Sequence, residues 1–306
     1  MVYTDNIKQI LRNYENTNAG IKSNLVKILM NGKLGGTGRL LILPVDQGHE
    51  HGPDKSFMKN PDAYDPSYHY NLAIDAGLSA YAAPLGFLEA GAETFAGQIP
   101  TILKINSSNS LIGIKNQSKN GTVKEALRLG CTAVGFTIYP GSEYQFEMME
   151  ELKELALEAK SVGLAVVVWS YPRGGNISKE GETAIDICAY AAHMAALLGA
   201  HIIKVKPPTS HLSLPEAKKV YEEQNIPVAT LEERIAHIKQ CTFENKRLVV
   251  FSGGNAKGKD ALYDEIRSIR DGGGNGSIIG RNTFQRPREE ALAMLNDITN
   301  IYLGKF

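Results

Sequence analysis

The run His201-Ile202-Ile203-Lys204-Val205-Lys206 carries two lysines, one residue apart, at the end of an apolar, β-branched stretch. Strand side chains alternate between faces, so Lys204 and Lys206 share the face of Ile202. An ammonium taken into a packed interior is costly. Desolvation and a second nearby cation both lower its pKa. The neutral amine that results is a nucleophile toward ketones and aldehydes, so the pattern points to Schiff-base chemistry. The competing reading is that the lysines end the strand and snorkel to water.

Other residues could serve such an amine. Asp46 ends the run Leu40–Val45 and could orient a hydroxyl or exchange a proton beside a lysine, or simply cap the following turn. His49-Glu50-His51 invites a metal reading, but the spacing differs from HExxH and no third ligand is evident. His51 near a substrate phosphate or hydroxyl is the better expectation. The run Val166–Ser170 leads into Tyr171, Pro172 and Arg173 and contains the chain's only tryptophan, Trp169. Tyr171 could relay a proton, Trp169 could exclude water, and the planar fork of Arg173 could clamp a phosphate. The alternative is a core aromatic pair and a surface arginine. Ser252-Gly253-Gly254 and Gly280-Arg281-Asn282 each follow an apolar run. Glycine lets backbone N–H groups approach an anion, and Arg281 adds charge. The glycine-rich stretch 271–276 lacks a P-loop ending and reads as a turn.

Eight short apolar runs position these residues: Leu40–Asp46, Ala80–Pro84, Thr101–Asn106, Ala133–Tyr139, Ala165–Tyr171, His201–Lys206, Leu248–Gly254 and Ser277–Asn282. Between them lie amphipathic stretches such as Glu143–Val162 and Thr183–Leu198. Strand–helix alternation is the signature of parallel βαβ units. Near-continuous apolar strands suit a sheet buried on both faces. The pattern predicts an α/β fold, a TIM (β/α)8 barrel with an N-terminal helical extension. The expectation is a single barrel domain over 1–306, with 1–39 as the extension and 40–290 as the barrel. The extension should cover the barrel's bottom or an oligomer face. An open doubly wound sheet would carry a glycine-rich first turn; here that turn is Asp46–Pro53, which has no GxGxxG. In a barrel the chemistry sits at the C-terminal ends of the strands. Those ends supply Asp46, Lys104, Tyr139, Trp169, Tyr171, Lys204, Lys206 and the two glycine turns. Loops after the last two strands commonly bind phosphate.

The chain has 306 residues, 33 basic and 33 acidic, for a formal net charge of zero. That balance argues against a nucleic-acid or anionic-membrane surface as the main partner. Its three cysteines, Cys131, Cys188 and Cys241, form no CxxC pair and read as reduced thiols. No signal-peptide core and no run of about 18 apolar residues is present, so a cytoplasmic protein is expected.

The motifs PVDQGHEHGP (44–53), GFTIYPGS (135–142), VVWSYPRGG (167–175), IIKVK (202–206), FSGG (251–254) and IIGRNTFQR (278–286) closely resemble the archaeal-type class I fructose-1,6-bisphosphate aldolases, from about residue 40 to 290. The resemblance implies a TIM barrel. It implies reversible cleavage of fructose 1,6-bisphosphate to dihydroxyacetone phosphate and glyceraldehyde 3-phosphate, in glycolysis and gluconeogenesis. It implies no metal or other cofactor. Lys204 matches the Schiff-base lysine, Tyr171 the acid–base tyrosine and Asp46 the strand-one aspartate. Trp169 matches the pocket tryptophan, with Lys206 as a neighbouring cation. Ser252, Gly253, Gly254, Gly280 and Arg281 match phosphate contacts at one end, with Arg173 and His51 as candidates for the other. The family forms homo-oligomers, often decamers. One departure concerns specificity: after Lys206 this chain has Pro207-Pro208-Thr209-Ser210-His211 and a long segment, where many relatives carry a short Tyr-Thr-Gly type loop. A related Schiff-base sugar-phosphate synthase or transaldolase-like enzyme is the alternative. A non-catalytic sugar-phosphate-binding barrel would bind ligand without a borohydride-trappable adduct.

Overall fold

The computed structural model describes residues 3–15, 17–253 and 258–305. Its strands are β1 (Leu40–Pro44), β2 (Ala80–Ala83), β3 (Thr101–Lys104), β4 (Asn106–Ser107), β5 (Ser118–Lys119), β6 (Ala133–Ile138), β7 (Ala165–Ser170), β8 (Ile202–Val205), β9 (Leu248–Ser252) and β10 (Gly276–Ile278). Eight of them form a closed parallel barrel in the order β1-β10-β9-β8-β7-β6-β3-β2. The fold is the expected TIM (β/α)8 barrel. β4 and β5 pair antiparallel in a small hairpin that the sequence pattern missed, because two-residue strands leave no periodicity.

Strand alternation splits the core in two. Leu41, Leu43, Val134, Phe136, Val166, Val168, Ile203, Val249 and Phe251 face outward and pack with the surrounding helices. Ile42, Ala82, Ile102, Val167, Trp169, Ile202, Val250 and Ile278 fill the interior. Every expected strand is present, ending one or more residues early. Asp46, Asn106, Tyr139, Tyr171, Lys206 and Asn282 lie just past the last paired residues, on the C-terminal rim. The helices Gln145–Ser161 and Ile185–Leu197 occupy the two amphipathic stretches.

Closure between β1 and β10 requires a glycine. Gly276 pairs with Leu40, and a Cβ there would lie 1.9 Å from the Leu40 carbonyl oxygen, with φ at +128°. The stretch 271–276 is thus the turn that ends the helix Lys259–Asp271 and enters β10.

The N-terminal segment shuts the barrel's bottom. α1 (Asp5–Arg12) starts at Thr4, whose side chain accepts from the Ile7 N–H. α2 (Ala19–Met30) starts at Asn18, which accepts from the Ile21 N–H. Ile21, Leu25, Ile28 and Leu29 of α2 join Leu40, Ala80, Ala133, Ala165 and Leu248, residues at or near the first positions of their strands, in the interior cluster. Between the helices, the buried Tyr14 hydroxyl donates to the His201 carbonyl at 2.6 Å and accepts from the Leu248 N–H at 3.1 Å. It bridges the starts of β8 and β9. Tyr14→Phe should therefore cost about 1–3 kcal/mol in a denaturant melt, the penalty for stranding buried polar groups. Activity per folded molecule should be unchanged, since in this fold chemistry sits at the C-terminal ends of the strands, the opposite mouth.

Candidate active site

Register sets the centre of the site. In the ladder Trp169 of β7 pairs with Lys204 of β8, and Lys204 with Val250 of β9. Neighbours at one level of a parallel barrel share a face, so Trp169 and Lys204 point inward side by side. Lys104 of β3 lies opposite Gly135 of β6. The Trp169 ring fills the space a side chain at Gly135 would need: a Cβ there would come within 2.6 Å of it. The ring is then flanked by two buried amines, Lys104 Nζ at 5.6 Å and Lys204 Nζ at 5.7 Å from its centroid. Lys104 is anchored on the Asn106 carbonyl and side chain. Lys204 Nζ also lies 5.5 Å from the Tyr171 ring centroid.

The rim completes one cavity of about 610 Å³, within the range of roughly 300–1,000 Å³ usual for small-molecule sites. Asp46, His51, Trp169, Tyr171, Arg173, Lys204, Lys206, Ser252, Gly253, Gly280 and Arg281 all line it. Gly254 lies outside the described residues. Asp46 stands at the N-cap of the helix Gln47–His51 but makes no side-chain capping bond. Its carboxylate, on a residue 6% exposed, faces the cavity instead. Arg173 is no surface arginine. Its guanidinium lies 4.5 Å from the Tyr139 ring centroid and 5.6 Å from that of Tyr171. Asn282 Nδ2 donates to the Gly253 carbonyl at 3.1 Å, tying together the loops after β9 and β10.

The two histidines of His49-Glu50-His51 are held by the loop between β4 and β5. His49 Nδ1 donates to the Ser108 carbonyl at 3.2 Å. Ser110 gives its single hydroxyl proton to the Glu50 carbonyl at 2.7 Å, so His51 Nδ1 donates to Ser110 Oγ at 3.2 Å. His51 Nε2 lies 3.8 Å from Glu50 Oε2, and both residues line the cavity. Among the described residues no group of three His, Cys, Asp or Glu side chains is arranged to hold a metal ion.

Burial drives the Lys204 amine down to about 8. Asp46 and Glu50 oppose that fall, while Lys104 and Arg281 reinforce it. Those are the neighbouring cations of Lys204. Lys206, expected in that role, turns to Glu182 at 2.8 Å. Burial pushes Glu50 up to about 7, helped by Asp46 and opposed by Lys104, Arg173 and Lys204. Burial, with Asp46 and Glu50, raises the Tyr171 phenol well above its ordinary range, so it is protonated at rest. In the sequence Glu50 stands out only as part of the His49-Glu50-His51 metal-like motif. Its place among the cavity carboxylates comes from the one-turn helix that follows β1, which no periodicity signals. Glu182 and Lys179 also line the cavity. They sit in the loop after β7, where no motif pointed.

A buried amine, two carboxylates and a phenol at the C-terminal mouth of a closed barrel are the constellation of a carbonyl-condensing enzyme. The sequence matches the family described as DeoC/LacD family aldolase over residues 40–286. The chain belongs to this aldolase family. The aldolase is 34% identical over 320 residues to a probable class 1 fructose-bisphosphate aldolase of Chlamydia muridarum, covering 98% of this chain and 89% of the relative. It is 35% identical over 269 residues to the class 1 fructose-bisphosphate aldolase of Thermoproteus tenax, covering 87% of this chain and 90% of the relative. A solved archaeal fructose-1,6-bisphosphate aldolase, its catalytic lysine covalently bound to the carbinolamine intermediate, superposes with a TM-score of 0.73 at 33% identity. That match covers 86% of this chain and 94% of the other. As a member of this family the protein is an enzyme, a lyase. Among the described residues no helix of the aldolase is long and apolar enough to cross a membrane.

The raised Glu50 pKa has a consequence for stability. Its folded value lies above the unfolded one, so its contribution is fully present below the ordinary carboxylate range and is lost as pH rises through about 7. Glu50→Gln should therefore gain thermal stability relative to the wild type at pH 8, and the gap should narrow steadily as pH falls from 7 toward the ordinary carboxylate range. A gap independent of pH would show that Glu50 is not charged against a desolvation cost.

Proposed function

We infer that this aldolase is a class I, Schiff-base enzyme that reversibly cleaves fructose 1,6-bisphosphate to dihydroxyacetone phosphate and glyceraldehyde 3-phosphate. The observation that carries the reading is an inward-facing lysine amine held at about 8, in one cavity with a phenol, two carboxylates and a glycine–arginine anion cradle. Near neutral pH a usable fraction of Lys204 is the free amine, where an exposed lysine near 10.4 would offer almost none.

Lys204 attacks the C2 ketone, and loss of water gives a cationic iminium. The iminium draws in the electron pair of the C3–C4 bond as the C4 hydroxyl loses its proton. Glyceraldehyde 3-phosphate leaves, and the enamine is reprotonated at C3 and hydrolysed. Tyr171 starts as the neutral phenol. It can take the C4 hydroxyl proton only while passing its own to a carboxylate, and Asp46 is the acceptor we assign. Trp169 walls the reacting carbons from water. Ser252, Gly253, Gly280 and Arg281 hold one phosphate, with Gly254 as a further candidate, and Arg173, His51 and Lys206 the other. Clamping both ends makes the attack intramolecular in effect, which can be worth several kcal/mol. The amine itself supplies the electron sink, so no step calls for a metal or cofactor.

The same reading makes sugar phosphates the partners, rather than nucleic acid or a membrane. It also carries a cytoplasmic place in glycolysis and gluconeogenesis, and a homo-oligomer with a decamer as the expected size.

A panel of ketose phosphates scored by triose-phosphate release tests the substrate. Fructose 1,6-bisphosphate should be cleaved best; preference for another ketose phosphate would favour the synthase or transaldolase-like alternative. Tyr171→Phe should lower kcat by about 10²–10⁴-fold, the usual worth of a positioned acid–base group, while leaving adduct formation partly intact. Unchanged turnover would remove Tyr171 from the proton path. Lys204→Met should abolish both cleavage and adduct formation.

A further inference from the structure

Two sides of the cavity mouth carry cations, and they differ. Arg281, beside the glycine turns after β9 and β10, makes no ion pair among the described residues, and neither does Arg173 after β7. Both are open to an incoming anion. Lys206, after β8, is already held. Its Nζ donates to Glu182 Oε2 at 2.8 Å, with the two side chains 24% and 13% exposed. Glu182 also accepts from Lys179 Nζ, at 3.2 Å to Oε1 and 3.0 Å to Oε2, and the Lys179 side chain is 88% exposed. All three residues line the cavity.

A carboxylate on a cation that faces an anion-binding cavity needs a reason. While the cavity is empty, burial disfavours the charged form of Lys206, and Glu182 opposes that effect. Burial also acts to raise Glu182, but Lys206 and then Lys179 outweigh it and keep the carboxyl ionised. A phosphate carries about −1.5 to −2 charges at pH 7 and three acceptor oxygens, so it outcompetes one carboxylate for a half-buried ammonium. Lys179 already grips both carboxylate oxygens and keeps a partner for Glu182 when it lets go of Lys206.

The turn that carries Glu182, Gly181–Thr183, is fixed from one side by the segment after Lys206. Thr209 N–H donates to the Thr183 carbonyl at 2.7 Å, and Ile185 N–H to the His211 carbonyl at 3.0 Å. The buried Asp186 carboxylate accepts from the backbone N–H groups of Ser213, at 3.1 Å, and Leu214, at 2.7 Å. The stretch that departs from the resembling family is therefore what anchors the turn bearing Glu182.

We propose that Glu182 is a specificity-determining placeholder: its carboxylate holds Lys206 while the cavity is empty and is displaced toward Lys179 by the second phosphate of a bisphosphate ketose. The inference rests on fructose 1,6-bisphosphate as substrate. Removing the placeholder removes a competitor for that phosphate and leaves the bond-breaking residues alone.

The test is steady-state cleavage of fructose 1,6-bisphosphate and of fructose 1-phosphate, which lacks the second phosphate. Glu182→Gln should lower KM for the bisphosphate about three- to tenfold, the scale of one partly buried ion pair. Its kcat, and its KM for fructose 1-phosphate, should match the wild type. In a Lys206→Met background the same substitution should change nothing. Glu182→Ala supplies the same readout should the amide variant fold poorly, and borohydride adduct formation with dihydroxyacetone phosphate reports folding of each variant. A higher or unchanged KM for the bisphosphate would make Glu182 a mere support for Lys206 and overturn the proposal, as would equal changes for both ketoses. A wild type that cleaves neither ketose would instead overturn the substrate reading, and this inference with it.

Discussion

An amine that must give up its proton readily inside a protein is the constraint on which this structure turns. Closing eight apolar strands around Lys204 withdraws it from water and brings it to about 8. The carboxylates of Asp46 and Glu50 pull the other way, and without Lys104 and Arg281 their attraction would be less well balanced. The same enclosure raises Glu50 and Tyr171, so one physical cause, desolvation, shifts amine, carboxylate and phenol together.

Strands and loops divide the work. The rigid ladder fixes what must not move: Trp169 beside Lys204, Lys104 across the ring, and Gly135 leaving room for the indole. The rim loops bring Asp46, Arg173, Lys206 and Arg281 to the same cavity. At the other mouth α2 and Tyr14 cover the strand starts and close the interior cluster from below.

Much of this was legible in the residues. Each strand announced itself as an apolar run because a barrel strand is buried on both faces. Alternation then put Lys204 inside, and strand order put the glycine turns of Gly253 and Gly280 side by side. Alternation failed where the ladder ends. Lys206 follows Lys204 by two residues, yet the backbone has left the barrel there, and its charge goes to Glu182. Glu50 and Glu182 were hidden for a related reason. They sit on a one-turn helix and a 3-10 turn whose positions depend on tertiary contacts, Ser110 in one case and Thr209 with His211 in the other. Local propensity carries no record of such contacts. The placement of the first helices under the barrel was open from sequence, because an apolar helix face does not say which surface will cover it.

Borohydride trapping with dihydroxyacetone phosphate across pH, followed by peptide mapping of the labelled chain, decides whether Lys204 is the lowered amine that forms the adduct. A single labelled residue is expected, Lys204, with trapping that rises as pH increases through about 8 and is indifferent to EDTA. Label on Lys104 or Lys206, a midpoint near that of an exposed lysine, or activity lost to EDTA and restored by zinc would contradict it.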